Sequence, residues 1–244
     1  MSQTVHRLAL LGYGKMGRML EQLAPAHGFA VALTLDGKSN AGGSGLTAAA
    51  LQGVEVAIDF SVPGAVAANV ERLAELGIPV VVGTTGWQDE LPRLRAHVEA
   101  QSENGENGAG LLYGANFSIG VQIFYRLAET AARLLAGVES YDAWLYEIHH
   151  RMKKDAPSGT LKEIQKILTE SGYDRPVDVA SNRAGAIPGS HQIGFDSEAD
   201  TILLEHRARS RTGFAQGALR AARWMLGRRG VYEFSTVWEE VIQS

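Results

Sequence analysis

The sequence predicts an α/β protein in two parts: a parallel sheet covered by helices on both faces, then a smaller α+β unit. Three observations carry this. Short apolar runs alternate with helix-spaced segments through the first half. After about Asn116 strands follow one another with fewer helices between them. A last helix-patterned segment is placed to return to the first sheet. The expected domains are therefore residues 1–116 with 213–244, and residues 117–212.

Val5 to Leu11, Phe29 to Leu35, Val54 to Phe60, Ile78 to Val82 and Leu111 to Tyr113 read as strands. The β-branched run ending at Val82 suits a strand buried on both faces. Met16 to Ala26, Pro63 to Leu76 and Leu91 to Val98 read as helices, with Pro63 in a first turn where its missing N–H does no harm. In the second part, Ile119 to Leu135 is a long helix. Tyr141 to His150 is a strand with Ala143, Leu145 and Glu147 on one face, and Leu161 to Leu168 is a helix. His191 to Phe195 and Thr201 to Arg207 read as antiparallel strands, and Phe214 to Leu226 as the closing helix. Residues 102–110 have the composition of a flexible loop.

Composition narrows the function classes. Of 244 residues, 45% are hydrophobic, enough for a sizeable core. Charged residues are 20% and the net charge is −4, which excludes a general basic surface for nucleic acid. With no cysteine there are no disulfides, thiolate metal sites, iron–sulfur clusters or thiol nucleophiles. No apolar run is long enough to span a bilayer, and Gly12 and Lys15 interrupt the Leu8–Leu11 stretch before it resembles a signal peptide. The expectation is a soluble cytoplasmic protein with neither membrane nor nucleic acid as partner.

Gly12-Tyr13-Gly14-Lys15-Met16-Gly17 fits G-x-G-x-x-G. The first Gly allows a tight turn, the second lets backbone approach a pyrophosphate, and the third lets helix and strand pack closely. The helix N-terminus adds free N–H groups and a positive dipole end. A random match somewhere in so glycine-rich a chain has odds of roughly one in three, so context decides. Here the motif links the first strand to the first helix, and Asp36 ends the second strand where a carboxylate would accept from an adenosine ribose. This points to a Rossmann-like cofactor domain. Asp36 argues for NADH and Lys38 offsets it toward NADPH, so use of both is expected. Three further strand-end segments are placed to line the crevice: Asp59-Phe60-Ser61, Gly83-Thr84-Thr85-Gly86 and Ala115-Asn116-Phe117-Ser118. Their composition equally suits ordinary turns.

The most informative stretch is Glu147-Ile148-His149-His150-Arg151-Met152-Lys153-Lys154-Asp155-Ala156-Pro157-Ser158-Gly159-Thr160. Thr160 with Glu163 fits a capping box, which starts a helix near Thr160. The N–H groups of Ser158, Gly159 and Thr160 are then expected to be free for an anion, with Lys153 as a nearby point charge and His150 for a second carboxylate. A histidine near pKa 6.5 can donate a proton at neutral pH. The alternatives are a solvated charged face, a structural histidine pair, or half a metal site. No spacing such as H-E-x-x-H accompanies the pair, so no metal is expected.

This segment resembles the E-[LI]-H-H-x-x-K-x-D-A-P-S-G-T signature of the 4-hydroxy-tetrahydrodipicolinate reductase (dihydrodipicolinate reductase) family. The resemblance extends to the glycine loop, the three strand-end segments, Arg183-x-Gly185 with Gly189-x-His191, and Ser210-Arg211-x-x-Phe214 with Gly217-Ala218. It implies a Rossmann-like cofactor domain and a substrate domain whose mixed sheet builds a homotetramer. The implied reaction is reduction of a cyclic dicarboxylate by NADH or NADPH on the diaminopimelate route to lysine. His149 corresponds to the proton donor, Lys153 to its catalytic partner, and His150, Ser158, Gly159 and Thr160 to substrate-carboxylate contacts. With the strand-end reading, cofactor contacts are expected from Gly12, Gly14, Lys15, Met16, Gly17, Asp36, Phe60, Ser61, Gly83, Thr84, Thr85, Ala115, Asn116 and Phe117. Arg211 matches a family arginine near the site. Closure is expected by hinge motion near Asn116–Ser118 and Thr212. Two other readings stand beside this one: a different dehydrogenase such as an aspartate dehydrogenase, and a dinucleotide-sensing regulator.

Overall fold

The computed structural model describes residues 4–104 and 109–243. The chain divides into two compact units, residues 1–118 with 214–244, and residues 119–213.

In the first unit, strands β1 (His6–Leu11), β2 (Phe29–Leu35), β3 (Val56–Asp59), β4 (Val80–Val82), β5 (Gly110–Tyr113) and β10 (Gly230–Glu233) form one sheet in the order β10-β5-β4-β3-β1-β2. Every pairing is parallel. All strand-end loops therefore leave from one edge of the sheet. From β1 the chain goes first to β2 on one side and then to β3 on the other, the topological switch at which α/β sheets bind ligands. β3 and β4 are fully buried, as their apolar runs require, while β2 at an edge alternates. Helices α1 (Lys15–Leu23), α2 (Pro63–Glu75) and α3 (Leu91–Asn104) supply the crossovers. One core joins Ala57, Val80 and Val82 to Val66, Val70 and Leu73 of α2 and Leu94 and Val98 of α3.

Two elements of this unit escape the sequence reading. β10 is four residues at a sheet edge, three half-buried and Glu233 exposed, and α7 (Phe234–Gln243) follows it directly. Both form because β10 pairs with β5, more than a hundred residues away in the chain. The helix expected over Met16 to Ala26 becomes α-helix only to Leu23, then a 3-10 turn at Ala24–His27 containing Pro25 and ending on Gly28 at φ 78°. Helix α3 reaches Asn104, so part of the expected 102–110 loop is helical; residues 105–108 of it lie outside the described residues. Helix α6 (Thr212–Met225) packs onto the loop after β5 so closely that a Cβ at Gly217 would stand 1.7 Å from the Phe117 carbonyl oxygen.

The second unit is a mixed sheet in the order β7-β6-β8-β9, formed by β6 (Asp142–His149), β7 (Val177–Arg183), β8 (Ser190–Asp196) and β9 (Thr201–Arg207). β6 runs parallel to β7 and antiparallel to β8. Helices α4 (Ile119–Leu135) and α5 (Gly159–Glu170) cover one face through a core that includes Phe124, Leu145, Leu161, Ile164, Ile193 and Phe195. The Arg175 guanidinium donates to the carbonyls of Leu135, Ala136, Val138 and Tyr141, closing the C-terminal end of α4. β7 has no counterpart in the sequence reading: it is mostly exposed and rich in Asp, Ser and Asn. Its parallel pairing with β6 decides its conformation, and carries Ser181 and Arg183 alongside Glu147.

Candidate active site

At the parallel edge the glycine loop behaves as its spacing requires. Gly12 has φ 87°, and a Cβ there would lie 2.3 Å from the Phe60 carbonyl oxygen. A Cβ on Gly17 would lie 2.2 Å from the Gly12 carbonyl oxygen. Gly14 differs: nothing stands within 4 Å of its absent side chain. It is also the N-cap of α1, with no side chain capping the helix. The first turn of α1, from exposed Lys15 through half-buried Met16 to Gly17, thus presents N–H groups to open space. This fits a pyrophosphate.

Asp36 is exposed just beyond β2. Its Oδ1 accepts from the backbone N–H groups of Lys38 and Ser39 and from the Ser39 hydroxyl, and these bonds, led by those of Ser39, hold its pKa below the usual carboxylate value. Oδ1 is thereby fixed in place, leaving Oδ2 for a ribose.

The other strand ends are built on a network that sequence reasoning missed. Asp59, at the end of β3, is fully buried. Its Oδ1 accepts from Ser61 N–H at 2.7 Å and from the Thr84 hydroxyl at 3.2 Å, and its Oδ2 accepts from Asn69 Nδ2 at 2.7 Å. Asn69 in turn accepts from Asn40 Nδ2. One carboxylate thus ties the loops after β3 and β4 to α2. The Thr84 side chain is occupied in this network, so its expected cofactor contact falls to its backbone. The same holds for Phe117, which is buried against Phe60 and Phe234. The Phe60 ring covers Gly83, where a Cβ would meet it at 2.2 Å. Thr85 and Ala115 are exposed, and Asn116 Oδ1 accepts from Ser118 N–H in a local turn.

In the second unit the centre is Glu147, which is fully buried. Its Oε1 accepts from Ser158 N–H at 2.9 Å, the Ser181 hydroxyl at 2.9 Å and Arg183 Nη2 at 2.8 Å. Strand alternation puts His149 on the same face, and the β6–β8 register sets His191 directly opposite Glu147. Glu147 Oε2 lies 3.6 Å from His149 Nδ1 and 3.7 Å from His191 Nε2. The two imidazoles meet edge to face with centroids 5.0 Å apart. A Cβ at Gly189 would stand 2.9 Å from His149 Nε2, so the glycine keeps that nitrogen clear.

Three expectations about this segment are corrected. The helix cap is Ser158, not Thr160: its hydroxyl accepts from Leu161 N–H, and α5 begins at Gly159. The capping-box pattern misleads because the true cap lies two residues earlier. Ser158 N–H is not free, since the buried Glu147 carboxylate takes it. Gly159 is exposed, and a Cβ there would meet nothing within 4 Å, so the approach to its backbone is open. Lastly, His149 has both an acidic and an imidazole partner: Glu147 two residues earlier on the same strand face, and His191 brought opposite Glu147 by strand pairing. Lys153 pairs with Asp155, Nζ to Oδ1 at 2.8 Å, and His150 is half-buried beside it in sequence. Arg211 is exposed ahead of α6.

Burial governs the electrostatics. It lowers the His191 imidazole to about 4, with the neighbouring His149 adding to the shift. Burial also lowers His149, and the Glu147 carboxylate offsets only part of that. For Glu147 itself burial pushes upward, but the hydrogen bonds from Ser158, Arg183 and Ser181 outweigh it and the net shift is down. The fold by itself therefore holds neutral imidazoles beside a charged carboxylate at neutral pH.

A stability prediction follows. An unfolded histidine takes a proton near pH 6.5, whereas His191 resists it until about pH 4. The stabilisation is complete above about 6.5 and is lost as pH falls toward about 4, to a total on the order of 3 kcal/mol. Urea unfolding at stepped pH should show this decline, and His191→Gln should flatten it. An equal slope in that variant would refute the assignment.

Comparison with known proteins bears on the whole chain. Residues 6–117 match the family model "Dihydrodipicolinate reductase, N-terminus", and residues 120–238 match "Dihydrodipicolinate reductase, C-terminus". The 4-hydroxy-tetrahydrodipicolinate reductase of Christiangramia forsetii is 32% identical over 250 aligned positions, covering 97% of this chain and 99% of the relative. That of Thiobacillus denitrificans is 36% identical, covering 95% and 97%. Among solved structures, a dipicolinate-bound dihydrodipicolinate reductase from Paenisporosarcina sp. TG-14 shares the fold, with TM-score 0.75 and 20% identity over 96% of this chain and all of that one. The glycine loop, the buried Glu147 network and these full-length matches agree: the chain belongs to the dihydrodipicolinate reductase family.

Proposed function

We propose that this chain reduces 4-hydroxy-tetrahydrodipicolinate to tetrahydrodipicolinate with NADH or NADPH, on the diaminopimelate route to lysine. Family membership supports the reaction. The observation that carries the chemistry is the end of β6, where His149 lies against a buried carboxylate beside the open N-terminus of α5.

The dinucleotide, when bound, supplies the hydride. The N–H groups at Gly14–Gly17 would hold its pyrophosphate and Asp36 Oδ2 its ribose, with backbone of Phe60, Ser61, Gly83–Thr85 and Ala115–Phe117 along the same edge. Replacing a hydroxyl by hydride releases water and consumes one proton, so a proton donor must stand by the ring. His149 fills that role. Its Nδ1 faces Glu147, leaving Nε2 for substrate on the side that Gly189 keeps clear. Gly159 N–H, Thr160 and His150 take the ring carboxylates, and Lys153 leaves Asp155 to join them. A dianion in this place restores charge to His149, whose proton is otherwise disfavoured by burial.

The assembly is read as a homotetramer built on the second unit's sheet. Its face away from α4 and α5 carries Trp144, Tyr146, Ala180 and Gln192 around an open groove, and Leu203 is half exposed nearby. No helix among the described residues is long and apolar enough to cross a membrane. Action in the cytoplasm, on a small molecule and not on nucleic acid, fits the cysteine-free, weakly acidic chain.

His149→Gln should lower turnover on the order of 10²-fold while dinucleotide binding survives. Unchanged turnover would remove His149 from the chemistry. With Asp36 beside Lys38, steady-state kinetics should show turnover with both NADH and NADPH. Turnover with NADPH alone would contradict the role given to Asp36.

A further inference from the structure

The geometry points to a binding site for a divalent transition-metal ion, best suited to zinc, formed by Glu147, His149 and His191. Donor atoms of the three lie within 4.8 Å of one another, and all three residues are buried. Glu147 Oε2 and His149 Nδ1 have no hydrogen-bond partner among the described residues. Their 3.6 Å separation, and the 3.7 Å from Oε2 to His191 Nε2, are too long for hydrogen bonds. Unpaired polar atoms in such a place are costly unless something joins them.

A zinc ion would do so. Bonds of about 2.0–2.2 Å set the ligand atoms of a tetrahedron about 3.3–3.6 Å apart. The 3.6 Å and 3.7 Å spacings stand at or just beyond the upper end of that range. Two imidazoles and one carboxylate are an open zinc donor set with a fourth position left over. His191 Nε2 is hydrogen-bonded to Ser158 Oγ at 3.3 Å, and the ion would take the place of that one bond. The outer support exists already: Ser158 N–H, Ser181 and Arg183 orient Glu147 through its other oxygen. Magnesium and calcium, which favour oxygen ligands, suit the set poorly.

Binding would lock the His149 ring through Nδ1 and remove Glu147 from its service, so the ion acts as an inhibitor. Only this consequence rests on His149 being the proton donor; the site itself does not.

The test is titration of the full chain with zinc against a chromophoric zinc indicator, and with cobalt(II) followed in the visible. Pyridine dicarboxylates must be absent, since they chelate both ions. One ion per chain is expected, with the intense visible bands of four-coordinate cobalt. His191→Gln should weaken binding at least about tenfold, and His27→Gln, outside the cluster, should leave it unchanged. His191→Gln keeps the three bonds to Glu147 Oε1, so it remains informative even if Glu147→Gln, which strips the charge partner from Arg183, fails to fold. Equal binding by wild type and His191→Gln, or a weak spectrum like that of hydrated cobalt, overturns the site. Zinc that binds as described without slowing turnover supports the site and counts against His149 as proton donor.

Discussion

Glu147 is the carboxylate on which the substrate unit depends. It has no solvent exposure, and so it persists only because one of its oxygens receives three hydrogen bonds, one of them from a guanidinium. Those bonds come from the turn before α5, from β7 and from its end at Arg183. The same carboxylate therefore fixes the anion-facing turn and the edge strand, and sets the field felt by two imidazoles. Taking away its charge would leave half-buried Arg183 beside a neutral partner, a change that removing an exposed ion pair such as Arg72–Glu75 would not equal.

The cofactor unit uses a comparable device. Parallel pairing brings six strand ends to one edge, but backbone loops there need a rigid floor. Asp59 supplies it by bonding Ser61, Thr84 and Asn69 at once. Residues named for the cofactor on motif grounds thus divide into two groups. Gly14 and Asp36 face open space, while Thr84 and Phe117 hold the edge together. Both buried carboxylates stand at strand ends, where side chains of neighbouring strands and the following loop converge.

Local patterns in the sequence were enough for β1 to β5 of the parallel sheet, for α2 and α4, and for the glycine loop, because each depends on periodicity or on a turn within a few residues. What escaped depends on pairing between distant segments. β7 is polar and exposed and exists through β6; β10 exists through β5. His149 and Glu147 were visible in one motif, yet their partner His191 was not, since antiparallel register sets it opposite Glu147 across forty-odd residues. The position of Glu147 on the same strand face as Leu145 was the available signal: an acid on an apolar face must be paired. The cap at Ser158 was hidden by a competing pattern two residues later, and no local rule decides between them.

The central claim is that a doubly negative ring supplies the charge that burial denies to His149. Calorimetric titration with pyridine-2,6-dicarboxylate near pH 7, in metal-free buffers of differing ionisation enthalpy and with the dinucleotide present, measures this directly. Net uptake of a fraction of a proton is expected on binding, and its loss in His149→Gln. Binding with no proton uptake, or with the same uptake in the variant, would contradict the account.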